Sequence, residues 1–322
     1  MVAVNKDIHP GSLDVLEQAL AAESRVRPQV LVTPLTACGA LGREADCRCW
    51  LKLENRQATG SFKARGAMSF MRALSQRPAG VVTASTGNHG LAVAWAGKRM
   101  RVPVTVVVPE NVSGHKARNL EAAGATLVSW GDDVVKSEAR ARDLARESGY
   151  IYLPPYNDLR VVAGQAGVGL EVENQLGFPD YVMVPVGGGG LVAGVAGWFR
   201  GRGASTRVVG CQPENSDVMA ASVEAGRILE QPSRPTLASA AAGGVEADSV
   251  TFALCRDLVD SWIRVSEKEI ADAMDLVSRV AGFAVEGAAA LPVAAIMKNP
   301  QMVAGKTVVL VISGGNTDMS QP

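Results

Sequence analysis

Lys63 stands in the run Ser61-Phe62-Lys63-Ala64-Arg65-Gly66-Ala67, among mostly small residues and directly after the turn-forming pair Thr59-Gly60. An amine held in the first turn of a helix, where backbone N–H groups point outward, can take a carbonyl compound as a Schiff base beside a bound anion. A free lysine with a pKa of about 10.4 is almost wholly protonated at neutral pH, so such chemistry needs a dry setting or a cationic neighbour such as Arg65. Taken alone, Lys63 and Arg65 read first as two solvated charges at a helix start.

Three further stretches change that reading. Ser85-Thr86-Gly87-Asn88-His89-Gly90 follows the β-branched run Val81-Val82-Thr83, Gly187-Gly188-Gly189-Gly190 follows residues 181–186, and Ser313-Gly314-Gly315-Asn316 follows residues 307–312. Each is a strand of buried character that empties into a Gly-rich polar loop, as where open parallel sheets bind ligands at the carboxyl ends of their strands. The four glycines, with a helix expected from Leu191, form either a flexible turn or a nest of amides for a phosphate monoester. Beside Lys63 the phosphate reading leads.

The elements that must position these groups are legible in outline. Apolar residues at Leu13, Val15, Leu16, Leu20 and Ala21 predict an amphipathic helix over 11–25. Residues 30–35 read as extended, because Val30, Val32 and Thr33 are β-branched and because Pro34 restricts Thr33. From 80 to 155 strands at 81–84, 104–108 and 125–129 alternate with helices at 91–98, 116–123 and 134–147, a parallel unit taken as a smaller domain. Residues 1–79 and 156–322 form the larger one. There, helices at 266–280 (with Ser266 and Glu269 spaced as a capping box) and 287–297 precede a strand at 307–312 expected to close the sheet. Residues 230–249 read as a long loop able to line a site.

Composition narrows the function. In 322 residues, 32 Lys and Arg balance 32 Asp and Glu, so no basic field favours nucleic acid or an anionic membrane. No run approaches the ~18 apolar residues of a membrane helix, and a cytoplasmic protein is expected. Cys38, Cys47, Cys49, Cys211 and Cys255 are scattered, and Cys47-x-Cys49 is too tight for the usual zinc pair.

Along nearly its whole length, from Thr33-Pro34-Leu35 through Lys63 and the Gly loops to Ser313, the chain resembles the fold-type II pyridoxal-phosphate (PLP) enzymes. Ser-Phe-Lys-x-Arg-Gly-Ala is similar to the threonine/serine dehydratase and serine racemase group. The resemblance implies an α/β protein of two domains (tryptophan synthase β-like), each an open, mostly parallel sheet flanked by helices, and a homodimer. It makes Lys63 the Schiff-base lysine and α-proton base, with Phe62 covering the cofactor ring. It puts the phosphate on Gly187, Gly188, Gly189, Gly190 and Leu191, the ring hydroxyl on Asn88 and the pyridine nitrogen on Ser313. A neutral hydroxyl there does not hold a proton on that nitrogen, which weakens the electron sink and suits β-elimination better than transamination. The carboxylate of a small amino-acid substrate falls to Ser85, Thr86, Asn88 and His89, although His89 also reads as a satisfied core histidine.

The implied reaction is loss of water from a β-hydroxy amino acid to give a 2-oxo acid and ammonia. Thr86 stands where the racemase has a serine, so racemisation with Thr86 as second acid/base stays open. Gln212 and Val218 replace the group's metal carboxylates, and no metal is expected. Ala238-Ser239-Ala240 departs from the family's Ala-Asp-Gly and leaves room for a specialised substrate such as 3-hydroxyaspartate or an intermediate of hydroxyectoine breakdown. A non-enzymatic PLP carrier fits intact Lys63, Asn88 and Ser313 less well.

Overall fold

The computed structural model describes residues 10–132, 134–232 and 234–316. The elements run α1 Pro10–Val26, β1 Leu35–Ala37, α2 Gly39–Glu44, β2 Arg48–Leu53, α3 Lys63–Arg72, β3 Val81–Ala84, α4 Asn88–Met100, β4 Val104–Val108, α5 Gly114–Ala122 and β5 Thr126–Ser129. They continue with α6 Val134–Ser148, β6 Ile151–Tyr152, α7 Leu159–Leu176, β7 Tyr181–Pro185, α8 Gly190–Gly201, β8 Arg207–Pro213, α9 Val218–Ala225 and α10 Val250–Leu258. The chain ends through β9 Ser261–Val265, α11 Glu267–Ala281, α12 Gly287–Lys298, α13 Pro300–Val303 and β10 Thr307–Ile312.

Among the described residues the strands form two sheets. The smaller has the order β5-β4-β3-β6 and is parallel throughout; the larger has the order β1-β2-β10-β7-β8-β9, with only β1 antiparallel. Buried Val and Ile runs account for this, since a parallel strand covered by helices on both faces is apolar on both: Val308 to Ile312 are all buried. The last strand does not close the sheet at an edge. β10 enters between β2 and β7, pairing Val309 with Trp50 on one side and Val182 on the other. An edge position would have left a wholly apolar strand half unpaired.

Two other expectations shift. Helix α1 buries Val15, Ala19, Ala22 and Val26, spaced at three and four residues, whereas Leu20 is 54% exposed and Ala21 also faces out; the side chain of Leu13 lies outside those described. Only Leu35 of the extended stretch 30–35 joins a strand, which then runs on to Ala37. The capping box at Ser266 and Glu269 is present, with Ser266 N–H donating to Glu269 Oε2 at 2.7 Å. Elements α9, α10 and β9 lacked a clear signal, and β9 is a half-exposed edge strand. Helix α3 contributes Ala67, Met68, Phe70 and Met71 to one core with β3, β4 and α4, lying against α4 and α7. No helix among the described residues is long and apolar enough to cross a membrane.

Candidate active site

Three loops leave the carboxyl ends of parallel strands: residues 85–87 after β3, 186–189 after β7 and 313–316 after β10. The segment leading into α3 is sewn to the last of them. Phe62 N–H donates to Ser313 O at 3.1 Å, Gly315 N–H to Gly60 O at 3.0 Å, and Ser61 bridges Gly314. Gly60 must be glycine, because φ is +72° and a Cβ would lie 2.5 Å from Asn316 Oδ1.

Lys63 opens α3. Its Nζ donates to Pro155 O at 2.8 Å, beyond the end of β6, and sits 5.2 Å from the centre of the Phe62 ring. Burial of the amine pulls its pKa down to about 8, against the opposing pull of the Glu286 carboxylate. At pH 7 roughly a tenth of such amines are neutral, a few-hundredfold more than for a solvated lysine. Arg65 is not the cause. It is buried, with Nε 2.7 Å from Glu54 Oε2 and Nη1 2.8 Å from Glu171 Oε1. The expectation that Arg65 would favour the free amine is corrected on that ground: its charge is consumed by two carboxylates.

The glycine loop is packed from behind. Gly189 has φ +87° and precedes α8, which starts one residue earlier than expected, at Gly190, with Leu191 second. A Cβ at Gly188 would lie 2.3 Å from the Tyr156 ring, and one at Gly189 would lie 2.8 Å from Cys255 Sγ. Thr251 Oγ1 donates to Gly188 O at 2.6 Å, and Cys255 Sγ donates to Gly189 O at 3.8 Å. With the carbonyls tied back, the first-turn amides of the twelve-residue helix remain as donors. Tyr156 follows Pro155, so one stretch of chain joins the glycine loop to the amine.

In the third loop Ser85 Oγ accepts from Gly87 N–H at 3.2 Å, and Thr86 is half-buried. Asn88 begins α4; its Nδ2 donates to Glu286 Oε1 and Oε2 at 3.0 and 2.9 Å, and its Oδ1 accepts from Asn316 Nδ2 at 2.7 Å. Burial raises the Glu286 carboxyl to about 7, although Asn88 and Lys63 both pull it down. His89 takes the core alternative. Its ring is buried, Nε2 lies 3.2 Å from Leu153 O, and burial with the nearby Lys63 cation lowers its pKa to about 3, so the ring is neutral and Nε2–H donates. Ser313 is buried at the end of β10.

Sequence reasoning missed Glu286, Tyr156, Thr251 and Pro155. A carboxylate just before a Gly-Ala-rich helix reads as a helix N-terminal residue, and nothing local ties Glu286 to a residue 198 positions away. Gln212 spends Nε2 on Val186 O (3.2 Å) and Oε1 on Ala220 N–H (2.8 Å), while Asp217 pairs with Arg264 at 2.5 Å.

The fold and cleft together define an α/β protein with a desolvated, partly neutral amine bonded to Pro155 O, next to the Tyr156 that packs on the glycine loop before α8. Residues 26–314 match the family model described as pyridoxal-phosphate dependent enzyme, and the chain belongs to that family. It is 37% identical over 307 residues to the L-threonine ammonia-lyase of Thermotoga maritima, covering 95% of this chain and 76% of that one. Among solved structures, maize serine racemase superposes with a TM-score of 0.90 at 31% identity, covering 94% of each chain. The processed form of threonine deaminase isoform 2 from Solanum lycopersicum gives 0.90 at 30%, covering 96% of this chain and 90% of that one. The cofactor is therefore PLP, and the residues present fit it: Lys63 offers the amine, the amides at the start of α8 suit its phosphate, and Thr59 Oγ1 and Ser61 Oγ in the adjoining loop are buried without partners.

Proposed function

We propose that the protein is a PLP-dependent ammonia-lyase that removes water from a small β-hydroxy amino acid of the threonine or serine type, releasing a 2-oxo acid and ammonia. The observation that carries this reading is the enclosed Lys63 amine, with its pKa lowered to about 8, on a cleft bounded by the glycine loop and Ser313. The threonine ammonia-lyase and threonine deaminase likenesses support the same substrate class.

Bound PLP supplies an electron sink for the negative charge that forms at Cα when its proton leaves. Gly187 to Leu191 would hold the phosphate through backbone amides, with Thr251 and Cys255 bonded to the loop carbonyls from behind. Lys63 would hold the cofactor through its amine, and its neutral Nζ would serve as the base for the Cα proton. Phe62 would cover the cofactor ring, Asn88 would bond its ring oxygen, and Ser313 would meet its nitrogen as a neutral partner. The substrate carboxylate is received by the 85–88 loop through Ser85, Thr86 and Asn88 and its amides. His89 instead ties the start of α4 to the chain after β6, through its bond to Leu153 O.

The reading includes a homodimer in the cytoplasm and a division at residues 80–155, which is supported by strands β3 to β6 lying between Val81 and Tyr152. A second outcome, racemisation, rests on the Thr86 hydroxyl and on the likeness to maize serine racemase. The test is ammonia and 2-oxo acid release by the PLP-loaded protein from L-threonine, L-serine, 3-hydroxyaspartate and longer β-hydroxy amino acids, with chiral analysis of the remaining substrate. Release from threonine or serine is expected. Interconversion of L- and D-serine without ammonia would replace the lyase reading; where it only accompanies ammonia release, Thr86→Ala should abolish it and keep most of the release.

A further inference from the structure

Glu286 precedes α12 as its N-cap but makes no side-chain bond to that helix; the carboxylate crosses instead to Asn88. An Asn side chain has two hydrogens on Nδ2 and accepts only at Oδ1. Here Oδ1 is taken by Asn316 Nδ2 at 2.7 Å, and Asn316 Nδ2 also donates to Thr59 O at 2.9 Å, next to the Lys63 loop. Asn316 Nδ2, tied also to Thr59 O, requires an acceptor at Asn88, and an ionised Glu286 only accepts, so Nδ2 faces Glu286. Both Glu286 oxygens lie on the same nitrogen and share one hydrogen between them, which leaves the other N–H unspent.

The glycines around this contact show that it is built tightly. A Cβ at Gly314 would stand 2.3 Å from Glu286 Oε1 and 3.2 Å from Asn88 Nδ2, and one at Gly60 would stand 2.5 Å from Asn316 Oδ1. Three separate parts of the chain thus converge on one carboxamide: the segment before α12, the loop after β10 and the start of α4.

We propose that Glu286 and Asn316 are positioning residues that fix the Asn88 carboxamide so that its remaining N–H points to the ring oxygen of PLP as an obligatory donor. This rests on the reading that the cleft binds PLP. Glu286 touches neither substrate nor reacting atoms; it acts through Asn88, and removing it frees the amide to rotate and lose the ring oxygen.

The experiment measures PLP dissociation constants by equilibrium dialysis, and the near-ultraviolet and visible bands of bound PLP, for the parent, Glu286→Ala, Glu286→Gln, Asn316→Ala, Asn88→Ala and the double variant Asn88→Ala/Glu286→Ala. Loss of a hydrogen bond to a charged group is expected to weaken binding on the order of tenfold in Glu286→Ala, with altered bands. Glu286→Gln, whose amide oxygen still accepts from Asn88, should recover most of that. Asn316→Ala, at an exposed position that leaves folding intact, should change the bands in the same direction. Compared above about pH 8, where the pull of Glu286 on the Lys63 amine no longer sets its protonation, the double variant should bind no more weakly than Asn88→Ala alone, because the hydrogen-bonded route from Glu286 runs through Asn88. Unchanged affinity and bands in both Asn316→Ala and Glu286→Ala overturn the proposal, as do losses that add in the double variant. If the parent itself takes up no PLP, the functional reading fails first, a result separable from a parent that binds and variants that do not differ.

Discussion

Lys63 and Arg65 stand two residues apart on the same helix, and their surroundings treat a positive charge in opposite ways. Arg65 is saturated: its Nη2 also reaches Glu54 Oε1 at 2.8 Å and Glu171 Oε2 at 2.9 Å, and Lys52 adds a second cation, with Nζ 2.6 Å from Glu171. Burial alone would raise the Glu171 carboxyl, but Arg65 and Lys52 outweigh it and hold it down at about 2. Lys63, a half-buried residue with a desolvated amine, has one backbone carbonyl and the opposing charge of Glu286, and its charge is weakened. A fully paired buried charge is locked in one state and fixes α3, α7 and β2 together; an under-paired one can change protonation state. The cluster at Arg65 is thus the footing on which the amine at Lys63 is held.

The sharpest break of this contrast is Lys63→Ala. It should lower ammonia release at least about a hundred- to ten-thousandfold, the range for loss of a positioned acid–base group, while the urea midpoint stays near that of the parent. A variant with comparable turnover would remove Lys63 from the chemistry. The converse substitution, Arg65→Met, should leave Glu54 and Glu171 under-compensated and cost about 3–5 kcal/mol by urea titration. A loss below ~1 kcal/mol would show that the cluster is not what anchors α3.

A smaller effect separates the two regions by pH. Because the folded pKa of Glu171 lies below that of an ordinary carboxylate, its contribution to stability is complete above about pH 4.5 and is lost as pH falls toward 2. The urea midpoint of the parent should therefore fall between pH 5 and pH 3, and that of Glu171→Gln less steeply. Equal slopes would deny Glu171 this part. In the cleft the sign is reversed: a lysine pulled down to about 8 gives up its proton more readily folded than unfolded, so attachment of PLP should speed up as pH rises and level off above about 8. The charged group facing that amine is Glu286, and His89 stays neutral. Glu286→Gln removes the pull that opposes burial, and the midpoint should move to lower pH. A midpoint near that of free lysine in the parent would show that the amine is solvated.

Local chemistry was enough to reveal the strand-to-loop pattern, the lysine at a helix start and the three loops that meet it. β-branched runs, glycines where no Cβ fits, and helix starts with free amides all leave their mark within a few residues. The same signals left His89 open between site and core, and they marked Ser266 as the seat of a helix. Which charges are paired emerged only in the folded chain. Arg65 reads as a neighbour of Lys63 because they are close in sequence, yet the helix turns its side chain toward Glu54 and Glu171, the latter 106 positions away. Glu286 reads as a helix cap, yet its partner is Asn88. The place of β10 between β2 and β7 was equally hidden, because a buried parallel strand carries no mark of which strands flank it. Burial and long-range pairing set the protonation of Lys63, Glu286 and His89, and neither is a property of the residues next to them in the chain.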